Sequence, residues 1–178
     1  MTTPIRPSVP GPDGIHWPAR FHPSRAPVHV SNALDIPAPL DAAWAWLVRA
    51  PLWPTWYPNS RNVRIAGGAG TLSLGSRFTW RTFGMAIRSE VVEFLPRERI
   101  AWNAWGVGVD AYHAWLIRPT RSGCTVLTEE TQYGVTARLN RLFFPSRMHR
   151  FHQVWLEELS RVARAGVPPS SADPTEAG

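Results

Sequence analysis

A histidine and a glutamate work as an acid–base pair when the carboxylate fixes the imidazole tautomer and leaves the other ring nitrogen to take a proton. The stretch from Tyr112 to Gln132 offers such a pair. With Arg121-Ser122 as the two-residue turn of a hairpin, Thr120 pairs with Gly123. Counting outward sets Ile117 against Val126, Trp115 against Thr128, and His113 against Glu130. Directly opposed residues share a face of a sheet. One face then carries His113, Trp115, Ile117, Val126, Thr128 and Glu130, and we assign it to the interior. The other carries Tyr112, Ala114, Leu116, Thr125, Leu127 and Glu129. A one-residue slip would exchange the partners. Abstraction of a proton next to a carbonyl by His113 and Glu130 would start an aldol-type ring closure. The plainer reading is a buried pair that satisfies itself.

Other side chains fit a ligand better than a reaction. Trp80, Trp102 and Trp115 offer flat surfaces for stacking, with core packing as the alternative for each. Trp56 lies in the aromatic corner Trp53-Pro54-Thr55-Trp56-Tyr57-Pro58, and Thr128 lies beside the pair. On the last helix, Phe151 and Trp155 are placed over the pocket. Arg81 is read as solvent-facing, with an anion at the rim as the alternative. His149 and His152 lie three apart, yet two ligands without a third do not make a metal site. No metal and no cofactor are expected. There is no nucleophile-elbow motif. Gly67, Gly68 and Gly70 lack the Gly-Lys-Ser/Thr of a phosphate loop.

These residues need elements to hold them. Arg99 to Trp105, Tyr112 to Ile117 and Cys124 to Gln132 alternate as three consecutive antiparallel strands. Before them, Val28 to Asp35 begins as a strand that Pro37 and Pro39 end. Leu40, Ala43, Trp44 and Leu47 then repeat at helical spacing, with Asp41 favourable to the helix start. Asn62 to Ala66, Gly75 to Thr82 and Met85 to Leu95 are further strands. No helix separates the later strands, so a meander is favoured. Gly134 closes it. Leu139, Leu142 and Phe143 begin an amphipathic helix that Pro145 interrupts. Met148, Phe151, Trp155, Leu159 and Val162 form the apolar stripe of a long helix from Ser146 to Arg164. Gly166, Pro168 and Pro169 stop it.

The expected fold is α+β. A curved antiparallel sheet of about six or seven strands wraps a long C-terminal helix, with two short helices after the first strand. Residues 1–27 form a proline-rich arm, 28–165 the domain and 166–178 a disordered tail.

Composition narrows the function. The 178 residues contain ten Trp, which suggests a wide interior or a cavity. The net charge is +6 and every basic residue is Arg. The arginines are scattered, and nucleic acid is not an expected partner. One cysteine, Cys124, excludes a disulfide framework. No apolar run reaches the length of a membrane span and no signal peptide is read, so a cytoplasmic location is expected.

In order and spacing, several short stretches resemble the SRPBCC (START/Bet v 1-like) superfamily, and within it the polyketide cyclase/dehydrase-type branch. They are Ile36-Pro37-Ala38-Pro39 leading to Trp44, Trp53 to Pro58, Gly75 to Trp80, Val91 to Pro96, Ile100-Ala101-Trp102, Trp115, Gly123 to Val126, and Glu130. The resemblance spans Val28 to Arg164. It implies a helix-grip fold with a deep hydrophobic pocket between sheet and helix, and small-molecule or lipid binding. In some members it implies cyclase or aromatase activity.

Three functions compete. The first is a carrier or sensor for a hydrophobic or aromatic, lipid- or polyketide-like molecule. The second is a cyclase, aromatase or dehydratase using His113 and Glu130. The third is a partner-binding protein that uses Trp17 and Phe21 of the arm.

Overall fold

A computed structural model describes residues 14–169. Strand β1 (Val28–Ile36) ends where Pro37 and Pro39 break the ladder, and α1 (Leu40–Val48) starts directly after Pro39. Asp41 lies in its first turn, where the helix dipole favours an acid. A 3-10 turn leads into α2 (Trp53–Trp56). The Trp53 indole N–H donates to the Leu47 carbonyl at 2.9 Å, tying the two helices together.

Six strands follow: β2 (Arg61–Ile65), β3 (Arg77–Thr82), β4 (Met85–Leu95), β5 (Arg99–Gly106), β6 (Val109–Thr120) and β7 (Gly123–Tyr133). They form one antiparallel sheet in the order β1-β7-β6-β5-β4-β3-β2. Register shifts between Val91 and Glu93 in β4, and between Arg61 and Arg64 in β2, bend the sheet. Two helices follow: α3 (Val135–Phe143) and α4 (Arg147–Ala165), with Pro145 between them. This is the helix-grip architecture expected from the sequence.

Alternation along the strands aims Trp80, Trp102, His113, Trp115, Thr128 and Glu130 at the face that α4 covers. There the core is largely aromatic. Trp53, Trp102, Trp115 and Trp155 are each at most 2 % exposed. Trp155 stacks on Tyr57 with ring centroids 4.3 Å apart and planes 8° apart. These four indoles therefore pack against one another rather than surrounding a wide space.

The opposite face carries the arm. Phe21 stacks on Tyr112 at 5.7 Å, and Trp17 lies 5.6 Å from the same ring. The hydroxyls of Tyr112, Thr131 and Tyr133 donate to the carbonyls of His16, Phe21 and Arg20. Trp17 and Phe21 thus meet the chain's own strands. At the other end, the beginning of the segment expected to be a tail is held: Trp46 Nε1 donates to the Gly166 carbonyl at 2.8 Å, and Arg49 bonds the Pro169 carbonyl. Residues 1–13 of the arm and 170–178 of the tail lie outside the described residues. Among the described residues no helix is long and apolar enough to cross a membrane.

Candidate functional site

The β6–β7 ladder sets His113 opposite Glu130 and Trp115 opposite Thr128, in the register that a turn at Arg121-Ser122 dictates. Helix α4 crosses over this spot and adds His152. Glu130 Oε2 is 3.3 Å from His113 Nδ1 and 3.1 Å from His152 Nε2. The two imidazoles lie parallel, 4.8 Å apart at 6°. The second ring nitrogen of His113 is 2.8 Å from Thr128 Oγ1, and the second oxygen of Glu130 accepts from Gln132 Nε2 at 2.6 Å. Both histidines are 2 % exposed and Thr128 is fully buried.

Burial dominates the electrostatics of His113. It outweighs the pull of Glu130 and, with His152 close by, holds the imidazole well below its usual range. Burial also opposes ionisation of Glu130. However, His113 beside it and the hydrogen bonds from His152 and Gln132 prevail, and the carboxyl sits well below the usual carboxylate range. At neutral pH the cluster holds an anionic carboxylate and a neutral His113. Burial likewise pushes the Tyr57 phenol above its ordinary value.

Two cavities lie near this cluster, and three residues line both. The inner one, about 40 Å³, is lined among others by Tyr57, Trp80, Trp102, His113, Glu130, His152 and Trp155. An apolar cavity of about 150 Å³ accommodates benzene. The inner cavity therefore admits a few waters or the polar end of a ligand, not a ring. The outer one, about 410 Å³, lies between β1, the β3–β4 turn, α3 and the start of α4. Phe83, Met85 and Gln132 line both. Phe83 sits at the tip of the β3–β4 turn with a left-handed φ of 51°, its N–H donating to Asn59 Oδ1 at 2.9 Å. Gly134 places α3 against the outer cavity. Its φ is 107°, and a Cβ there would stand 2.2 Å from the Gly108 carbonyl oxygen.

The residues proposed from sequence separate into groups. His113 and Glu130 meet, and Trp80, Trp102 and Trp155 line the inner cavity with them. Thr128 Oγ1 is hydrogen-bonded to His113. Trp115 packs behind, 5.4 Å from His113 and 5.0 Å from Trp155. Trp56 is buried away from the cavity, facing Trp46 and Tyr57. Phe151 meets Phe83 edge-on at 5.3 Å, outside the inner lining. Arg81 bonds the Gly84 carbonyl.

His149 and His152 do not work together. Asn32 Nδ2 donates to the His149 carbonyl, whereas His152 turns inward to Glu130. A helix rotates by about 300° over three residues, so a pair three apart can be split when one side is buried and the other is not. His152 and Gln132 were missed as partners of the pair. Both left a signal: His152 interrupts the apolar stripe between Met148 and Trp155, and Gln132 is two residues beyond Glu130 on the same strand face.

The chain matches the family described as "Polyketide cyclase / dehydrase and lipid transport" over residues 27–164. No curated protein matches it. Among solved structures, a hypothetical protein of Helicobacter pylori is similar with a TM-score of 0.81 and 28% identity, over 88% of this chain and 100% of that one. The di-domain ARO/CYC protein StfQ of the steffimycin biosynthetic pathway gives a TM-score of 0.64 at 20% identity, over 79% of this chain and 52% of its own. Norcoclaurine synthase of Thalictrum flavum, in complex with dopamine and hydroxybenzaldehyde, gives 0.59 at 15%, over 80% and 89%. The last two likenesses concern the fold. By the extent of its match, the chain belongs to the polyketide cyclase/dehydrase and lipid transport family.

Proposed function

We propose that the chain binds a small molecule whose apolar or aromatic body fills the outer cavity and whose polar end reaches His113, Glu130 and His152. The observation that carries this reading is the shared lining: Phe83, Met85 and Gln132 belong to both cavities. The outer volume of about 410 Å³ falls in the range of small-molecule sites, about 300–1,000 Å³. Its walls set Val28, Val30, Phe144 and Met148 beside nearly as many polar residues, Gln132, Asn140, Arg141 and Arg147 among them. Norcoclaurine synthase, similar in fold, holds two small aromatic molecules. A fluorescent anilinonaphthalene dye tests the reading. It should bind the native chain, and Met148→Arg should weaken it at least tenfold. Failure of the native chain to bind, or equal affinity in the variant, overturns it. Native mass spectrometry of the purified protein would then identify any co-purifying ligand.

A second reading, catalysis, is favoured by one feature: a carboxylate held between two imidazoles at the inner end of the cavities. His113, oriented by Glu130, would take a proton from the carbon next to a ligand carbonyl, and loss of that proton would open an aldol-type closure. Deuterium exchange into acetophenone, followed by NMR, reports this step. His113→Ala should abolish it while the protein remains folded. Exchange at the same rate in the variant removes His113 from the chemistry.

A further inference from the structure

We propose that His113 Nδ1, Glu130 Oε2 and His152 Nε2 bind one first-row divalent cation, zinc foremost, with a further coordination position facing the inner cavity. Two neutral-capable imidazoles and a carboxylate are a donor set such ions favour. Their convergence is specific. Each imidazole aims one nitrogen at the same carboxylate oxygen, at 3.3 and 3.1 Å. Two ligand atoms each about 2.1 Å from a tetrahedral ion stand about 3.4 Å apart, close to both separations. All three donor atoms lie within 4.8 Å of one another. A cation between the two imidazoles narrows that widest gap by small ring rotations.

The surroundings support the same assignment independently. Metal-bound histidines and carboxylates carry outer partners on their remaining atoms, which fix ring orientation and ligand basicity. Here the remaining His113 nitrogen is bonded to Thr128, and the remaining Glu130 oxygen accepts from Gln132. His152 has Glu130 as its hydrogen-bond partner, while its Nδ1 is buried without one. A buried imidazole whose polar contact is one shared oxygen is held at a single point, and that point is where the other two donors converge. Tyr57, Trp80, Trp102 and Trp155 close the rest of the inner cavity. The open side of the ion faces the space that adjoins the outer cavity.

The use of the ion rests on the ligand-binding reading: a Lewis acid at this position would polarise a ligand's carbonyl or lower the pKa of a bound water. The binding of the ion does not rest on that reading. The donors form no compact sequence motif. Two ligands are opposed across a hairpin and the third is contributed by a helix 22 residues beyond Glu130.

Tag-free protein dialysed against a chelator, then titrated with cobalt(II), tests the site. The expected result is one ion per chain and a visible absorption band of low-coordinate cobalt, which zinc displaces. Zinc should also raise the thermal midpoint of the native chain. Glu130→Gln and His152→Asn should each weaken zinc binding at least tenfold, and His22→Ala, an exposed histidine of the arm, should leave it unchanged. No stoichiometric ion in the native chain overturns the proposal, as does equal zinc affinity in both site variants. Should the variants fail to fold, the cobalt band and its displacement in the native chain decide alone. Dye binding measured on the chelated protein separates the two readings. A chain that binds dye but no ion loses only the metal site, and one that binds the ion but no dye loses only the ligand-binding reading.

Discussion

Trp155 is the side chain on which the interior turns, and its truncation gives the most demanding test of the packing described above. Its ring meets Trp53 at 5.2 Å, Tyr57 at 4.3 Å, Trp80 at 5.8 Å, Trp102 at 6.5 Å, His113 at 5.5 Å and Trp115 at 5.0 Å. Truncating a buried Trp to Ala costs about 3–5 kcal/mol, the larger values where the walls cannot collapse. Six aromatic neighbours anchored on strands and helices are such walls, so Trp155→Ala should lose about 4–5 kcal/mol. For a chain of this size, each kcal/mol moves the midpoint by about 2–4 °C, which gives a fall of about 8–20 °C. The Trp155 indole N–H is buried and bonds no protein group among the described residues. Trp155→Phe, which keeps a ring against Tyr57 and breaks no hydrogen bond within the described residues, should therefore lose only about 1–2 kcal/mol. Urea denaturation measures both, with the slope checked for constancy. Millimolar indole should restore part of the midpoint of Trp155→Ala, because the space the side chain leaves is walled by six aromatic rings that an added ring can meet. A loss below about 2 kcal/mol, or a Phe variant as unstable as the Ala variant, would refute the reasoning.

Three further outcomes follow from the same structure. Both Glu130 and His113 have native pKa values below their unfolded ones, so the unfolded chain takes up the protons first. In chelator, stability should therefore be fully present above about pH 7. It should decline as pH falls through the ordinary imidazole value of 6.5 and again below the ordinary carboxyl value of 4.5. Urea midpoints between pH 7 and 4 measure this, and a flat profile contradicts it. Gly134→Ala should lose at least about 1–3 kcal/mol, since its Cβ would stand 2.2 Å from the Gly108 carbonyl oxygen; a neutral midpoint would show that α3 can shift freely. Phe21→Ala should lose about 1–3 kcal/mol and leave dye affinity unchanged, because the ring packs on the face opposite the cavities. A changed affinity would show that the two faces are coupled.

The strands were legible because period-two alternation survives in Arg99 to Gln132 and because one short turn, Arg121-Ser122, sets the whole β6–β7 register. The His113–Glu130 juxtaposition follows from that register by counting. What counting cannot supply is the rotation of α4 about its axis, and it is this rotation that sends His152 inward to Glu130 and leaves His149 beside Asn32. The interior volume was legible only in kind. Ten tryptophans suggest width, but whether indoles surround a space or fill it depends on their rotamers, and here Trp53, Trp102, Trp115 and Trp155 pack on one another, while Trp17 lies on the opposite face and Trp105 is exposed. The outer cavity depends on where α3 lies, which is decided by the close approach of Gly134 to Gly108, a tertiary contact with no local pattern. Similarly, the arm's prolines forbid helix and strand but do not say where an extended segment lies down. Tyr112 and Tyr133 decide that through hydroxyls that reach its carbonyls.

The arm gives the sheet a third layer over part of its area. The strands carrying His113 and Glu130 have α4 on one side and residues 15–21 on the other. Ala101, Tyr112 and Ala114 form an apolar strip on the outer face that water would otherwise meet, and Ile15, Trp17 and Phe21 cover it. A protease cut in the chain that joins the arm to β1, followed by release of the arm, would turn that strip into an adhesive surface on an otherwise unchanged fold. Clipped material should then self-associate and sediment faster than the full chain. Colloidal behaviour, and not only the site, thus depends on a segment whose described residues contribute no strand and no helix longer than three residues.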